Sequence, residues 1–289
     1  MAEFSPKFKE ALSLVQKPGR YTGGEPGCVY KDKSRVDVRM AFCFPDTYEI
    51  GMSNIGMRIL YGLMNELPGV WCERVFAPWG DMEEKMREHA IPLYALESHD
   101  PVRAFDLIAF TIGYEMSYTN ILNMLDLSGV PLLARERKGL ENIVFAGGVC
   151  AVNPEPLADF IDFFSFGEGE EITKEILACY RQAKKDGCSK DEFLLRISRI
   201  DGVYVPSFYE HSYNPDGMLA AITPKNGAPA KVRKRIVQDM DAAYFPTKTI
   251  VPSTEIVHDR TNLEIFRGCI RGCRFCQAGF CYRPVRAKG

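Results

Sequence analysis

Between residues 36 and 165 the chain alternates short apolar runs with amphipathic stretches, and this alternation restricts its fold more than any other feature. Strands are expected at 36–44, 70–76, 106–111, 143–146 and 161–165. Helices are expected between them at 55–66, 81–89 and 119–127, with another at 171–184 after the last strand. Strands separated by helical crossovers build βαβ units, so the expectation is an α/β fold with a doubly wound parallel sheet. Ligands of such sheets sit beyond the carboxyl ends of the strands, which makes the loops there the first candidate site.

Four segments emerge: a helical leader (1–35), the α/β domain (36–200), a hairpin-rich connector (201–260) and a cysteine-bearing end (261–289). The leader carries a helix at 6–15 and a Gly- and Pro-rich turn, and is expected to pack onto the α/β domain. The connector has strand-like runs joined by a turn at Asn214 to Gly217. Its basic run of Lys231, Arg233, Lys234 and Arg235 reads as a solvated strand face, with a nucleic-acid contact as the sharper alternative. A net charge of −2 over 289 residues sets up no global field for nucleic acid or an anionic membrane. No stretch is long and apolar enough to span a bilayer, and the amino terminus has no apolar export signal, so a cytoplasmic protein with reduced thiols is expected. Six of the ten cysteines, Cys28, Cys43, Cys72, Cys150, Cys179 and Cys188, have no ligand-like spacing and read as small buried hydrophobes.

The other cysteines cluster. Cys269, Cys273 and Cys276 lie at spacings of four and three in a loop that comes after a short strand and contains Gly268 and Gly272. Cubane iron–sulfur clusters are ligated by cysteine thiolates, and four irons need four ligands. Three thiols would leave one iron open to a ligand that is not protein. With Cys281 added, the same segment could be a four-thiolate zinc site or a closed electron-transfer cluster. Structural zinc sites usually pair two Cys-x-x-Cys knuckles, and the second knuckle is missing here.

The motif Cys269-x-x-x-Cys273-x-x-Cys276, with Phe275 before the last cysteine, resembles the signature of the radical S-adenosylmethionine superfamily. The resemblance implies a 4Fe–4S cluster whose open iron chelates S-adenosylmethionine. One electron would then cleave that cofactor to a 5′-deoxyadenosyl radical, which abstracts hydrogen from a substrate that the sequence does not identify. It also implies a reductant such as ferredoxin or flavodoxin, and a place for Phe275 near the adenine. Arg283 to Arg286, an Arg-Pro-x-Arg, is similar to the stretch downstream of the motif in several branches, with no role derived for it.

The loop after the first strand, with Asp46, Tyr48 and Gly51, is similar to the Asp-x-His-x-x-Gly loop of cobalamin-binding domains, Tyr48 standing where the cobalt-ligating histidine would be. Thr111, the pair Gly147 and Gly148, and Gly167 with Glu168 stand at later strand ends, where such domains meet the corrin and its tail. Glycines there permit close approach of a large flat ligand, and a threonine hydroxyl can hydrogen-bond to it. The same glycines suit tight turns without any ligand, and Glu170 and Glu171 would favour a helix start. The chain as a whole resembles the radical S-adenosylmethionine branch with an N-terminal cobalamin-binding-like domain. That implies a cobalamin-assisted methyl or methylthio transfer, against a cobalamin- or partner-binding module with a structural zinc site. Few residues come after Cys276, so the partial β/α barrel expected beyond the motif is only begun, and the chain is expected to be a truncated or split, inactive piece.

Overall fold

The computed structural model describes residues 4–289, so the first three positions of the leader lie outside the described residues. Helix α1 (Pro6–Leu14) starts at a Ser5 cap whose side chain accepts from the Phe8 amide, with Pro6 in the first turn. It rests against a helix of the α/β domain, and Phe8 meets Tyr94 edge-on at 5.0 Å.

The α/β domain continues in the order β1 (Val38–Phe44), α2 (Tyr48–Met52), α3 (Ile55–Glu66), β2 (Val70–Phe76), α4 (Gly80–His89), β3 (Leu107–Thr111), α5 (Tyr118–Ser128), β4 (Ile143–Gly147), β5 (Phe163–Ser165), α6 (Gly169–Asp186), α7 (Lys190–Ile197) and β6 (Val203–Tyr204). The strands form one sheet in the order β2-β1-β3-β4-β5-β6. Every pairing is parallel except β5 with β6. The first five strands thus have the 2-1-3-4-5 order of flavodoxin-like doubly wound sheets, whose direction of winding reverses between β1 and β3.

Burial explains why these runs became strands. All seven positions of β2 are buried, and β1 and β3 are nearly so, as expected of a parallel sheet covered on both faces. Phe145 and Phe163 stack at 4.8 Å across β4 and β5, and Phe193 of α7 meets Phe163 edge-on.

Two elements differ from expectation. Tyr48 to Met52 form a short helix in place of the expected loop, and the run at 203–204 leaves the connector to become the sheet's antiparallel edge. The strand character of this run was expected and its partner was not: Val203 and Tyr204 pair with Ser165 and Phe164, and Tyr204 stacks on Phe166 just past β5 at 5.7 Å. The rest of the connector holds the expected hairpin, β7 (Tyr209–Tyr213) with β8 (Leu219–Pro224). In the cysteine-bearing end, β9 (Phe266–Arg267) pairs antiparallel with β10 (Arg286–Ala287), and the single turn α8 (Ala278–Cys281) lies between them. These elements bound the cysteine loop, and among the described residues no βα unit of a barrel is formed. No helix is long and apolar enough to cross a membrane among the described residues.

Candidate functional site

A cavity of about 580 Å³ opens beyond the carboxyl ends of the strands, a volume in the range of small-molecule sites. Its floor is the sheet face at Phe42, Ala109 and Phe145, and α3 walls it with Ile55, Ile59 and Leu60. The strand ends add polar atoms through Thr111 and Ser165. The far wall comes from the distant end of the sequence, including Arg267, Cys269, Cys281 and Tyr282.

Of the residues expected at a ligand site, Thr111, Gly147, Gly148, Gly167, Glu168 and Cys269 line this cavity. Gly148 and Gly167 among them admit close approach by the protein's own backbone. A Cβ on Gly148, whose φ is +98°, would lie 2.6 Å from the Ile112 carbonyl oxygen, and one on Gly167, at φ +99°, 2.0 Å from that of Arg235. The connector at Arg235 is bridged to Gly167 as a parallel strand would be, so a ligand is not needed to account for either glycine.

Asp46, Tyr48 and Gly51 lie outside the cavity lining. Tyr48 is 1% exposed and points into the core, where its hydroxyl donates to Glu25 Oε1 at 2.8 Å and accepts from the Ser253 amide. Gly51 lets α2 sit on the Phe76 ring, which a Cβ would approach to 2.3 Å. The Asp46 carboxylate accepts from the next amide, that of Thr47, and its carbonyl from Ala77. A side chain in the place of a cobalt ligand is therefore engaged in packing the leader onto the sheet. Glu25, which holds it, is paired with the buried Arg74.

Glu168 and Glu170 also have partners that sequence reasoning missed. Arg286 grips Glu168 with both terminal nitrogens, at 2.8 and 2.5 Å, and Arg267 reaches Glu170 at 2.5 Å. Burial works to raise the Glu168 carboxyl. Arg286, the Val237 amide and Arg267 outweigh that and hold it below its ordinary value. Two of the four residues of the basic run are engaged within the fold, while Lys231 and Arg233 are exposed. Lys234 donates to the carbonyls of Cys281 and Arg283, and Arg235 pairs with Glu171 and Glu175 of α6. An Arg-Pro-x-Arg signal was visible in the sequence, but its target lies more than a hundred residues away.

All ten cysteines are free. Cys43, Cys72 and Cys150 are buried as expected, whereas Cys28, Cys179 and Cys188 are half-buried. Cys28 accepts a hydrogen bond from Arg74. The Cys150 thiol donates to the Gly113 carbonyl, and burial, then the neighbouring Glu115, pushes it up to about 11. Cys273 is exposed, Cys269 and Cys276 are half-buried, and Phe275 between them is 92% exposed. Among the described residues no group of three or more His, Cys, Asp or Glu side chains is gathered closely enough to hold a metal. The donor set itself suits an iron–sulfur cluster: three accessible thiols on one loop, none in a disulfide, with a turn that brings the Cys276 amide to 3.1 Å from the Cys273 carbonyl.

Residues 56–206 match the family described as radical SAM proteins, N-terminal. Over 254 residues the chain is 28% identical to an uncharacterised protein of Methanocaldococcus jannaschii, a match that takes in 86% of this chain and 42% of that protein. A solved radical S-adenosylmethionine methyltransferase from Kitasatospora setae, TsrM, with its tryptophan substrate and an analogue of S-adenosylmethionine bound, shares 15% identity at a TM-score of 0.40. That alignment covers 87% of this chain and 42% of the methyltransferase, a likeness too loose to carry the fold. The chain thus spans less than half the length of the relatives it matches.

Proposed function

The chain belongs to the family of radical SAM proteins, N-terminal, and on that premise we propose that it is the N-terminal portion of a radical S-adenosylmethionine enzyme. In this reading Cys269, Cys273 and Cys276 hold three irons of a 4Fe–4S cluster. The observation that carries it is the placement of the cysteine segment: its two flanks, Arg267 to Cys269 and Cys281 to Arg283, wall a ligand-sized cavity at the carboxyl ends of a doubly wound sheet, with Cys269 alone of the three thiols in the lining. Such a cluster, when bound and reduced, supplies one electron to S-adenosylmethionine at its open iron. The chain's own residues leave Cys273 exposed and Cys269 and Cys276 half-exposed, and leave the Phe275 ring free to meet a planar group.

The narrower reading, a cobalamin-assisted methyl or methylthio transfer, is supported by the cavity and by the Thr111 and Ser165 polar groups at its rim. Tyr48 is unavailable to cobalt, so a corrinoid here would be held by the cavity alone.

Anaerobic reconstitution with iron and sulfide tests the main reading. The expected result is a brown protein with about four irons per chain. Cys269→Ala, Cys273→Ala and Cys276→Ala should each abolish iron binding, and Cys281→Ala should leave it intact. A colourless zinc protein that depends on Cys281 would overturn the reading. Retention of added cobalamin through gel filtration checks the narrower one.

A further inference from the structure

The cysteine loop is fastened to the sheet by charge. In the ladder of β9 and β10, Arg267 stands directly opposite Arg286. Like charges at opposed positions destabilise a ladder unless carboxylates offset them. Glu168 and Glu170 provide the offset from the start of α6, Glu168 as its N-cap and Glu170 in its first turn. Arg286 grips Glu168 at 2.8 and 2.5 Å, and Arg267 bridges Glu170 at 2.5 Å and Glu168 at 3.5 Å. Glu264 holds the remaining edge of Arg267 at 2.8 and 2.9 Å. The five side chains are largely buried, and a bidentate arginine–carboxylate pair fixes orientation as well as distance.

The placement of this cluster gives it a purpose beyond holding the fold. Arg267 precedes Cys269 and Arg286 comes after Cys276, so the pair closes both ends of the thiol-bearing loop. Glu168, Glu170 and Arg267 also line the cavity. The loop between the arginines has little apolar anchorage of its own, since Ile270, Phe275 and Phe280 are exposed. Its attachment therefore runs through the clamp at its base, beside the hydrogen bonds from Lys234 to the Cys281 and Arg283 carbonyls.

We propose that Glu168 and Glu170 are positioning residues which, through Arg286 and Arg267, seat the three-thiol loop against the cavity, so that a group on the thiols faces a ligand in the cavity. The proposal rests on the cluster-binding reading for the group on the thiols, and its test separates the two. Iron binding by the unsubstituted chain judges that reading, whereas hydrogen exchange on the iron-free chain judges the clamp whatever the iron result. In Glu168→Gln, exchange across residues 268–285 should rise about tenfold while that of β1–β5 stays at the parental rate. After reconstitution, iron content should be retained and the paramagnetic spectrum of the reduced cluster should change. Arg286→Lys, which keeps the charge and loses the fork, should give an intermediate increase. Glu171→Gln, whose carboxylate pairs with Arg235, should leave the loop at the parental rate. Parental exchange and spectrum in Glu168→Gln would overturn the proposal. So would loosening that spreads equally through the sheet, or a loop released as much by Glu171→Gln.

Discussion

The sheet and the cysteine loop of this chain are held by different forces. In the sheet every residue of β2 and nearly every residue of β1 is buried, and aromatic layers such as Phe145, Phe163 and Phe193 fill the space under the helices. In the cysteine-bearing end, Leu263, Ile265, Ile270 and Phe275 are exposed, and attachment runs through Arg267, Arg286 and Lys234. Apolar burial is non-directional and is not screened by ionic strength, whereas ion pairs are directional and are screened. The contrast sets a cavity wall held by apolar packing against a loop attached by charge.

The largest expected effect strikes the sheet where it departs from apolar packing. Arg74 is 1% exposed and joins Glu97 of the neighbouring loop to Glu25 of the leader. Arg74→Ala strands two buried carboxylates and should cost about 3–5 kcal/mol, read as a lowered midpoint of chemical denaturation. The exchange rate of the cysteine loop relative to the sheet should not rise with it.

Acid should attack the same place. Burial works to raise the Glu25 carboxyl, but Arg74, with help from the Tyr48 hydroxyl, brings it down to about 2 from an ordinary 4.5. Its stabilisation is therefore complete above the ordinary value and is lost as pH falls from there through about 2, an effect of about 3 kcal/mol. Denaturation curves at stepped pH should show that loss, and Glu25→Gln should flatten it.

Gly167→Ala sharpens the comparison at the seam between the regions. A Cβ there meets the Arg235 carbonyl oxygen at 2.0 Å, so the connector must move. The expected cost is about 1–3 kcal/mol, with faster exchange confined to residues 234–237 and the cysteine loop that Lys234 holds. The smallest effect is that of salt. Raising ionic strength tenfold should speed exchange in the cysteine loop by about two- to threefold and leave β1–β5 unchanged, since the clamp is partly reached by solvent and the core is not.

Much of the sheet was legible because periodicity records burial. The run at 70–76 and the helix at 55–66 came out at their observed bounds, since a run buried on both faces and an amphipathic helix each mark their own length. The run at 203–204 reads as the start of a longer strand-like stretch of the connector, and its separate pairing with β5 was not legible, because two residues carry no period of their own. The site was legible in part. Strand-end loops after β3, β4 and β5 do border a cavity, as the topology of parallel sheets requires. The motif of Asp46, Tyr48 and Gly51 has the outline of a ligand loop and the environment of a packing helix. Nothing local separates those two, because a tyrosine is equally suited to a core and to a pocket.

The sequence alone determined the alternation that makes a doubly wound sheet and the spacing that gathers three thiols on one loop, since both are set by residues close together in the chain. Only the tertiary structure decided that Glu168 and Glu170 would meet Arg286 and Arg267, and that Tyr48 would turn inward to Glu25. Charges and hydroxyls carry no mark of their distant partners; those pairings exist once the fold has brought the loop after β5, the connector and the cysteine segment to the same end of the sheet.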